Sequence, residues 1–120
     1  MSKLHELFSN PAVEHFGMAL RIAIGKREDG GCEDYASLVE LDYVEKEDQF
    51  VSALKKFLRR FDACARRYER EHSGRISFKP DEEDLVMVMK LVQEHGVRLV
   101  CAAIMSHALV RSQKGEKKNE

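Results

Sequence analysis

The chain has 120 residues, of which 43% are hydrophobic and 34% are charged, and its 20 Lys and Arg nearly balance its 21 Asp and Glu. This length suits one domain with its own hydrophobic core. The longest apolar run, "LVCAAIM" at 99–105, is too short to cross a membrane, and the N-terminal segment lacks the apolar stretch of a signal peptide. These features exclude a membrane protein and favour a cytoplasmic one.

The cysteines give the same indication about the compartment. Cys32, Cys64 and Cys101 are odd in number, lie far apart, and form no C-x-x-C pair. This pattern predicts reduced thiols in a cytosolic protein, with two of the three in the core.

The first 44 residues predict two helices, a loop and a third element. Asn10 can cap a helix whose first position is Pro11, and a short helix is expected before it. The polar segment 25–31, "GKREDGG", is expected to be a loop. Apolar residues at 35–39 fit a short helix, and a strand over 41–44 stays open. The helix that begins at Pro11 carries apolar residues at spacings of three and four: Val13, Phe16, Leu20 and Ile24.

A long helix over about residues 45–72 is the clearest element. Acidic residues fill its first turn, where the helix dipole favours them. Gly74 is expected to end it as the left-handed residue after the last turn. Its apolar residues are spaced 4, 3, 4, 3, 4, a heptad pattern that predicts a buried seam: Phe50, Leu54, Phe57, Phe61, Cys64 and Tyr68.

Two further helices are expected after this one. Pro80 and the four acids that follow it open the first, which ends at Gly96. The second, over 97–111, is apolar nearly all round, which predicts the central helix of the core. No segment shows strand alternation. The sequence therefore predicts an all-α fold, a single compact bundle of about five or six helices over 1–111 with a frayed polar tail at 112–120.

No motif indicates catalysis. The chain contains no H-E-x-x-H, no G-x-S-x-G and no His/Cys set at zinc-like spacing, so its five histidines are expected on the surface or bonded in the core. The acids of "PDEED" at 80–84 could ligate a metal or act as an acid–base pair, but at a helix start they are more simply first-turn acids. The sequence predicts no enzyme, no catalytic or metal-binding residue and no cofactor.

Positive charge is concentrated in one segment, "KKFLRRFDACARRYER" at 55–70. Residues 50–70 hold seven basic and two acidic residues, a net charge of +5, in a chain whose net charge is −1. On a wheel of 100° per residue the seven fall within one arc of about 140° that contains no acid. Like charges at i, i+4 destabilise a helix, so this arrangement indicates an anionic partner. The seven residues are Lys55, Lys56, Arg59, Arg60, Arg66, Arg67 and Arg70.

Three kinds of anion fit this face. It can be a carboxylate of the same chain, such as those of "PDEED", an acidic protein partner, or a polyanion such as nucleic acid. Five of the seven residues are arginine, which binds phosphate bidentately. No aromatic residue lies within the arc, which disfavours base stacking and favours contact with the phosphate backbone without reading sequence.

Two segments, "FVSALKKFLRRFDACARRY" at 50–68 and "DLVMVMKLVQEHGVRLVCAAIMSHALVR" at 84–111, resemble the small helical subunits of multisubunit CRISPR effector complexes. The resemblance spans about residues 45–111. It implies a non-enzymatic all-α subunit of a ribonucleoprotein complex that packs against other subunits, including copies of itself. It also implies contacts to the target or displaced DNA strand, or to the guide–target duplex, through the seven basic residues of the long helix. Four further residues are weaker candidates for backbone contact: Arg75, Lys79, Arg98 and Arg111.

The sequence is compatible with two other functions to different degrees. A cytosolic helical adaptor would dock an acidic protein partner on the basic face. A helix-turn-helix regulator is suggested by "LVQEHGVRLVCAA" at 91–103, but its second helix is too apolar to lie in a major groove. The sequence therefore favours a non-catalytic, cytoplasmic nucleic-acid-binding subunit, with the adaptor as the alternative.

Overall fold

A computed structural model describes residues 3–74, 76 and 79–118, with side chains described through Leu109. Within these residues the chain forms six α-helices and one 3-10 helix and contains no strand, so the predicted all-α bundle is confirmed. No described helix is long and apolar enough to span a membrane. The helices are α1 Lys3–Phe8, α2 Pro11–Ile24, α3 Tyr35–Tyr43, α4 Glu47–His72, α5 Glu82–His95 and α6 Val97–Lys118, and the 3-10 helix is Arg27–Asp29.

Side-chain caps fix the starts of three helices. Asn10 accepts a hydrogen bond from the Ala12 N–H at 2.9 Å, with Pro11 in the first turn as expected. Asp34 caps α3 by accepting from the Ser37 N–H at 3.1 Å. Asp81 and Asp84 form a capping box at the start of α5. The acids after Pro80 therefore include two that the helix start itself uses.

The centre of the bundle is α2 rather than α6. α2 packs against each of the other five helices, whereas α6 packs mainly on α1, α2 and α5. Gly17 lets α2 approach α6 closely, because a Cβ added there would overlap His107 and the Ile104 carbonyl oxygen of α6. The expectation that the last helix is central is therefore wrong. α6 buries one face and leaves Arg98, Ala102 and Leu109 exposed.

The heptad seam of α4 is confirmed. Five of its six residues are buried, and Tyr68 is half-buried. The helix ends differently from the prediction: Ser73, not Gly74, takes the left-handed conformation, with φ +52°. The Gly74 N–H donates to the Glu69 carbonyl oxygen at 3.2 Å and satisfies the last turn. Because α4 ends at His72, the left-handed position falls one residue earlier than glycine placement suggested.

The segment that the sequence left open between helix and strand is helical over Tyr35–Tyr43. α3 buries Ser37 and Leu41 and exposes an apolar row, Tyr35, Val39 and Tyr43, at every fourth residue. At the other end of the chain the backbone of α6 continues to Lys118. The predicted boundary between bundle and tail at 111/112 falls where side chains are not described, and it stays a prediction.

Cys32 and Cys64 form a disulfide, so the prediction of reduced thiols is wrong for this pair. Their Cα atoms are 6.0 Å apart, within the range that a disulfide requires. The pair is 32 residues apart in sequence, which is why spacing gave no sign of it. Cys101 is a free, buried thiol that donates to the Leu41 carbonyl oxygen at 3.3 Å. Burial raises the pKa of the Cys101 thiol to about 11, with a further increase from Asp42.

Candidate nucleic-acid interface

The seven basic residues of α4 all lie on its outer face. Six are exposed and Arg67 is half-buried, while the apolar seam on the opposite side of the helix packs into the core. A helical wheel places the seven in one arc without an acid. In the folded chain this arc has two flanks with different surroundings, and the difference decides which cations are open to an external anion.

One flank is neutralised by the protein itself. Lys56 Nζ lies 3.7 Å from Glu40 Oε1 of α3. Arg60 Nη2 donates to Asp34 Oδ1 at 2.9 Å. Both carboxylates belong to α3 or its cap, because α3 packs against this side of α4. These two cations lie at about 100° and 140° on the wheel, next to the apolar seam.

Arg67 lies on the same flank, at about 120° on the wheel. Its Nε is 3.5 Å from Glu71 Oε1, and its Nη2 is 3.5 Å from the Arg27 carbonyl oxygen. Arg27 belongs to the loop at 25–34 that connects α2 and α3. Arg60 and Arg67 therefore both hold this loop against α4.

The other flank faces solvent. Lys55, Arg59, Arg66 and Arg70 lie within about 60° of one another on the wheel and form a row, named the α4 stripe, about 22 Å long. All four side chains are exposed. Lys55, Arg59 and Arg70 form no ion pair with any residue that the structure describes. The stripe is therefore the part of the basic face that remains available to a partner.

Arg66 differs from the rest of the α4 stripe because it has a carboxylate partner. Asp62 Oδ2 accepts from Arg66 Nη2, and Asp62 Oδ1 accepts from Lys79 Nζ at 2.7 Å. The hydrogen bond from Lys79, then that from Arg66, lowers the pKa of Asp62 to about 2. The same contact raises the pKa of Arg66. Asp62 is thus ionised near neutral pH and competes with any external anion for Arg66.

The "PDEED" carboxylates were one expected partner of the basic face. Lys55 and Arg59 do border a groove whose other wall includes Asp81 and Glu82. Within the described chain, however, the ion pair that crosses this groove is Lys79–Asp62. Neither Asp81 nor Glu82 pairs with a cation of α4, and Asp81 is engaged in the cap of α5. Asp84 of the same cap lies 3.0 Å from His15 Nδ1. The internal acids that do pair with α4 are Asp34, Glu40, Asp62 and Glu71.

The weaker candidates lie in different places. Lys79 joins the α4 stripe indirectly, through its hydrogen bond to Asp62. Arg98, at the start of α6, donates from Nη1 to the Asp42 carbonyl oxygen at 2.5 Å and so caps the end of α3, away from the stripe. Arg75 lies outside the described residues, and the Arg111 side chain does too.

Some of the missed partners had a sequence signal and others had none. Asp62 precedes Arg66 by four residues and Glu71 follows Arg67 by four, a spacing that pairs side chains on a helix. Asp34 and Glu40 reach α4 only because α3 packs on it. No local pattern could have indicated those two contacts.

The histidines that the structure places have structural partners. His107 is buried, stacks on the Phe8 ring with a centroid distance of 3.8 Å, and lies 2.6 Å from the Phe8 carbonyl oxygen. Among the described residues, no group of three or more His, Cys, Asp or Glu side chains is arranged to hold a metal ion.

Fold and site together define a small all-α protein with one long helix that carries a solvent-facing row of cations. A protein of Archaeoglobus fulgidus with the description "Uncharacterized protein" is 44% identical to this chain over 113 residues, which are 93% of this chain and 87% of the relative. The chain belongs to the family of that archaeal protein. No protein-family profile and no solved structure matches the chain.

Proposed function

We propose that the protein is a non-catalytic, cytoplasmic nucleic-acid-binding protein that holds a phosphate backbone along the α4 stripe. One observation carries the proposal. The chain supplies carboxylate or carbonyl partners to the α3-facing flank of α4, yet three of the four cations on the solvent-facing flank form no ion pair within the described residues. Four exposed like charges in a row repel one another, and a polyanion relieves that repulsion.

The geometry of the α4 stripe fits a backbone better than a base edge. The helical rise separates Lys55 from Arg59, and Arg66 from Arg70, by about 6 Å along the axis, near the spacing of successive phosphates on one strand. Arginine offers two parallel donors to a phosphate. No aromatic side chain lies within the stripe, so stacking on bases has no support there. Binding is therefore expected to be insensitive to sequence.

The biological setting is proposed from the resemblance of residues 45–111 to small CRISPR-complex subunits. In that setting the protein is a subunit of a CRISPR interference complex and contacts the target or displaced strand, while its other surfaces meet neighbouring subunits or copies of itself. Native purification tests this part by itself. A tagged chain is expected to co-purify with a guide RNA and its protein partners, and recovery without any RNA-containing assembly contradicts the CRISPR setting.

Binding itself is tested by fluorescence anisotropy with mixed-sequence single-stranded and duplex oligonucleotides at low salt. The variant Arg59→Glu/Arg66→Glu reverses two charges in the α4 stripe. A matched control, Lys3→Glu/Lys90→Glu, makes the same change in net charge at exposed lysines on α1 and α5. We expect the stripe variant to lose at least tenfold in affinity and the control to lose much less. No binding by the wild type, or equal losses in the two variants, contradicts the proposal.

A protein-docking adaptor is the second candidate, and the exposed face of α3 favours it. Tyr35, Val39 and Tyr43 are 52%, 50% and 79% exposed, and they form an apolar row beside the basic helix. An acidic polypeptide could contact this row and the cations of α4 together. Competition between an oligonucleotide and polyglutamate of matched length distinguishes the two candidate functions. Equal affinity of the two competitors for the same site favours the adaptor. Tighter binding of the oligonucleotide favours nucleic-acid binding.

A further inference from the structure

The loop at 25–34 is fastened to α4 at three points. The Cys32–Cys64 disulfide joins them covalently. Asp34, two residues after Cys32, accepts from Arg60 at 2.9 Å. The Arg27 carbonyl oxygen, five residues before Cys32, accepts from Arg67 at 3.5 Å. The disulfide therefore lies between the two polar contacts that occupy arginines of the basic face.

The two polar contacts are weak by themselves. Arg60 is 49% exposed, and an ion pair open to solvent contributes little to stability. The bond from Arg67 to the loop carbonyl, at 3.5 Å, is at the outer limit of hydrogen-bond distance. The covalent bond is thus the strong attachment of the loop to α4. Without it, a phosphate oxygen competes with the loop for both guanidinium groups.

The disulfide is also placed where a reductant can reach it. Cys32 and Cys64 line an open surface cleft together with Arg60, Arg67 and Tyr35. Cys64 is only 6% exposed, whereas Cys32 is half-buried, so attack is expected at the Cys32 sulfur. Nearby guanidinium groups stabilise a thiolate, which makes Cys64 a good leaving group.

We propose that the Cys32–Cys64 disulfide is a redox switch that sets how many cations of α4 are free to bind a polyanion. This inference rests on the proposed nucleic-acid binding and names its regulation. In the oxidised protein the loop occupies Arg60 and Arg67, and only the α4 stripe binds. In the reduced protein the covalent attachment is gone. A phosphate then displaces the Asp34 carboxylate from Arg60 and the Arg27 carbonyl oxygen from Arg67, and these two cations join the stripe, so that six cations face the polyanion.

The chemistry is a two-electron exchange with a dithiol reductant. One thiolate of the dithiol attacks Cys32, the S–S bond breaks, and Cys64 leaves as a thiolate. The second thiol of the reductant then displaces Cys32, so the reductant becomes a disulfide and both cysteines take up protons.

The test measures duplex affinity against salt concentration for the wild type with and without dithiothreitol. Each phosphate contact contributes about −0.9 to the slope of log affinity against log salt, so reduction is expected to change the slope from about −3.6 to about −5.4. Affinity at 0.1 M salt is expected to rise by about twentyfold. Cys101→Ala, which keeps the disulfide, is expected to respond as the wild type does. Cys32→Ser/Cys64→Ser is expected to bind like reduced protein in either condition.

A double variant tests whether Arg60 and Arg67 cause the gain in affinity on reduction. Arg60→Ala/Arg67→Ala is expected to show the same slope before and after reduction, because the two cations that the switch releases are gone. Helical circular dichroism of each sample checks that the fold persists, and the wild-type comparison needs no substitution. Binding with equal slopes in both redox states overturns the switch and leaves the proposed function intact. Absence of binding in both states overturns the two together.

Discussion

Arg60 donates to Asp34 at 2.9 Å, whereas Arg59, the preceding residue of the same helix, forms no ion pair within the described chain. One step of 100° along α4 separates a cation that holds the protein together from a cation that is open to solvent. This contrast allows the stripe to be tested with two variants that lose the same charge at adjacent positions of one helix.

Arg59→Ala is expected to weaken oligonucleotide binding by the oxidised protein by about fivefold at 0.1 M salt, because it removes one phosphate contact. Arg60→Ala removes the same charge, but Arg60 is already paired with Asp34. Its effect on oligonucleotide affinity is therefore expected to be less than twofold. It should instead lower the free energy of unfolding by about 0.5–1 kcal/mol, through the lost ion pair. Anisotropy titrations and urea unfolding measure the two effects. Equal losses of affinity would show that overall charge, not the stripe, governs binding.

Asp62→Asn is expected to strengthen binding. Asp62 accepts hydrogen bonds from both Arg66 and Lys79, so its removal frees two cations at the edge of the α4 stripe. We expect a gain of about threefold to tenfold in affinity at neutral pH. Glu14→Gln removes an equal charge at an exposed site on α2 and serves as the control. A gain of the same size in the control, or a loss in Asp62→Asn, would contradict this role.

The same carboxylate gives a prediction about pH. The pKa of Asp62 is lowered from 3.8 to about 2, so its ionised form is favoured in the folded protein. Its contribution to stability is therefore fully present above about pH 3.8 and is lost as the pH falls through about 2. The difference in unfolding free energy between the wild type and Asp62→Asn should be constant from pH 7 to 5 and should shrink steadily as the pH falls from about 4 through about 2. A difference that does not change between pH 5 and pH 2 would show that the pKa is not lowered.

Gly17→Ala tests the close approach of α2 and α6. A Cβ at this position would overlap His107 and the Ile104 carbonyl oxygen, and neither can move without disturbing the core. Such overpacking is expected to reduce the free energy of unfolding by about 2–3 kcal/mol. Gly74→Ala is a suitable control, since only the His72 carbonyl oxygen lies within contact distance there. It should leave stability unchanged or slightly raised. Urea unfolding followed by circular dichroism measures both variants.

Local patterns predicted those parts of the fold that depend on neighbouring residues. The buried seam of α4 could be predicted because Phe50, Phe57 and Phe61 recur at helical spacing. The start of α2 could be predicted because Pro11 follows a capping residue. The central position of α2 in the bundle could not be predicted from the sequence. It depends on α2 packing against all five other helices, and the pattern of one helix contains no information about which helices its faces will meet.

For the candidate site, too, the sequence predicted the local features and not the contacts between helices. All seven cations of α4 were found, because a charge count and a wheel suffice for them. Their division into two flanks was not found, because Asp34 and Glu40 reach α4 only in the folded chain. The disulfide shows the same limit: Cys32 and Cys64 are 32 residues apart, and only the packing of the loop on α4 brings them together.

The salt dependence of binding tests the central claim most directly. For the oxidised wild type and a mixed-sequence duplex, four stripe cations predict a slope of about −3.6 in a plot of log affinity against log salt concentration. Arg59→Ala/Arg66→Ala removes two of the four and should reduce the slope to about −1.8. A slope near zero for the wild type, or the same slope for both proteins, would contradict the claim that the α4 stripe holds a phosphate backbone.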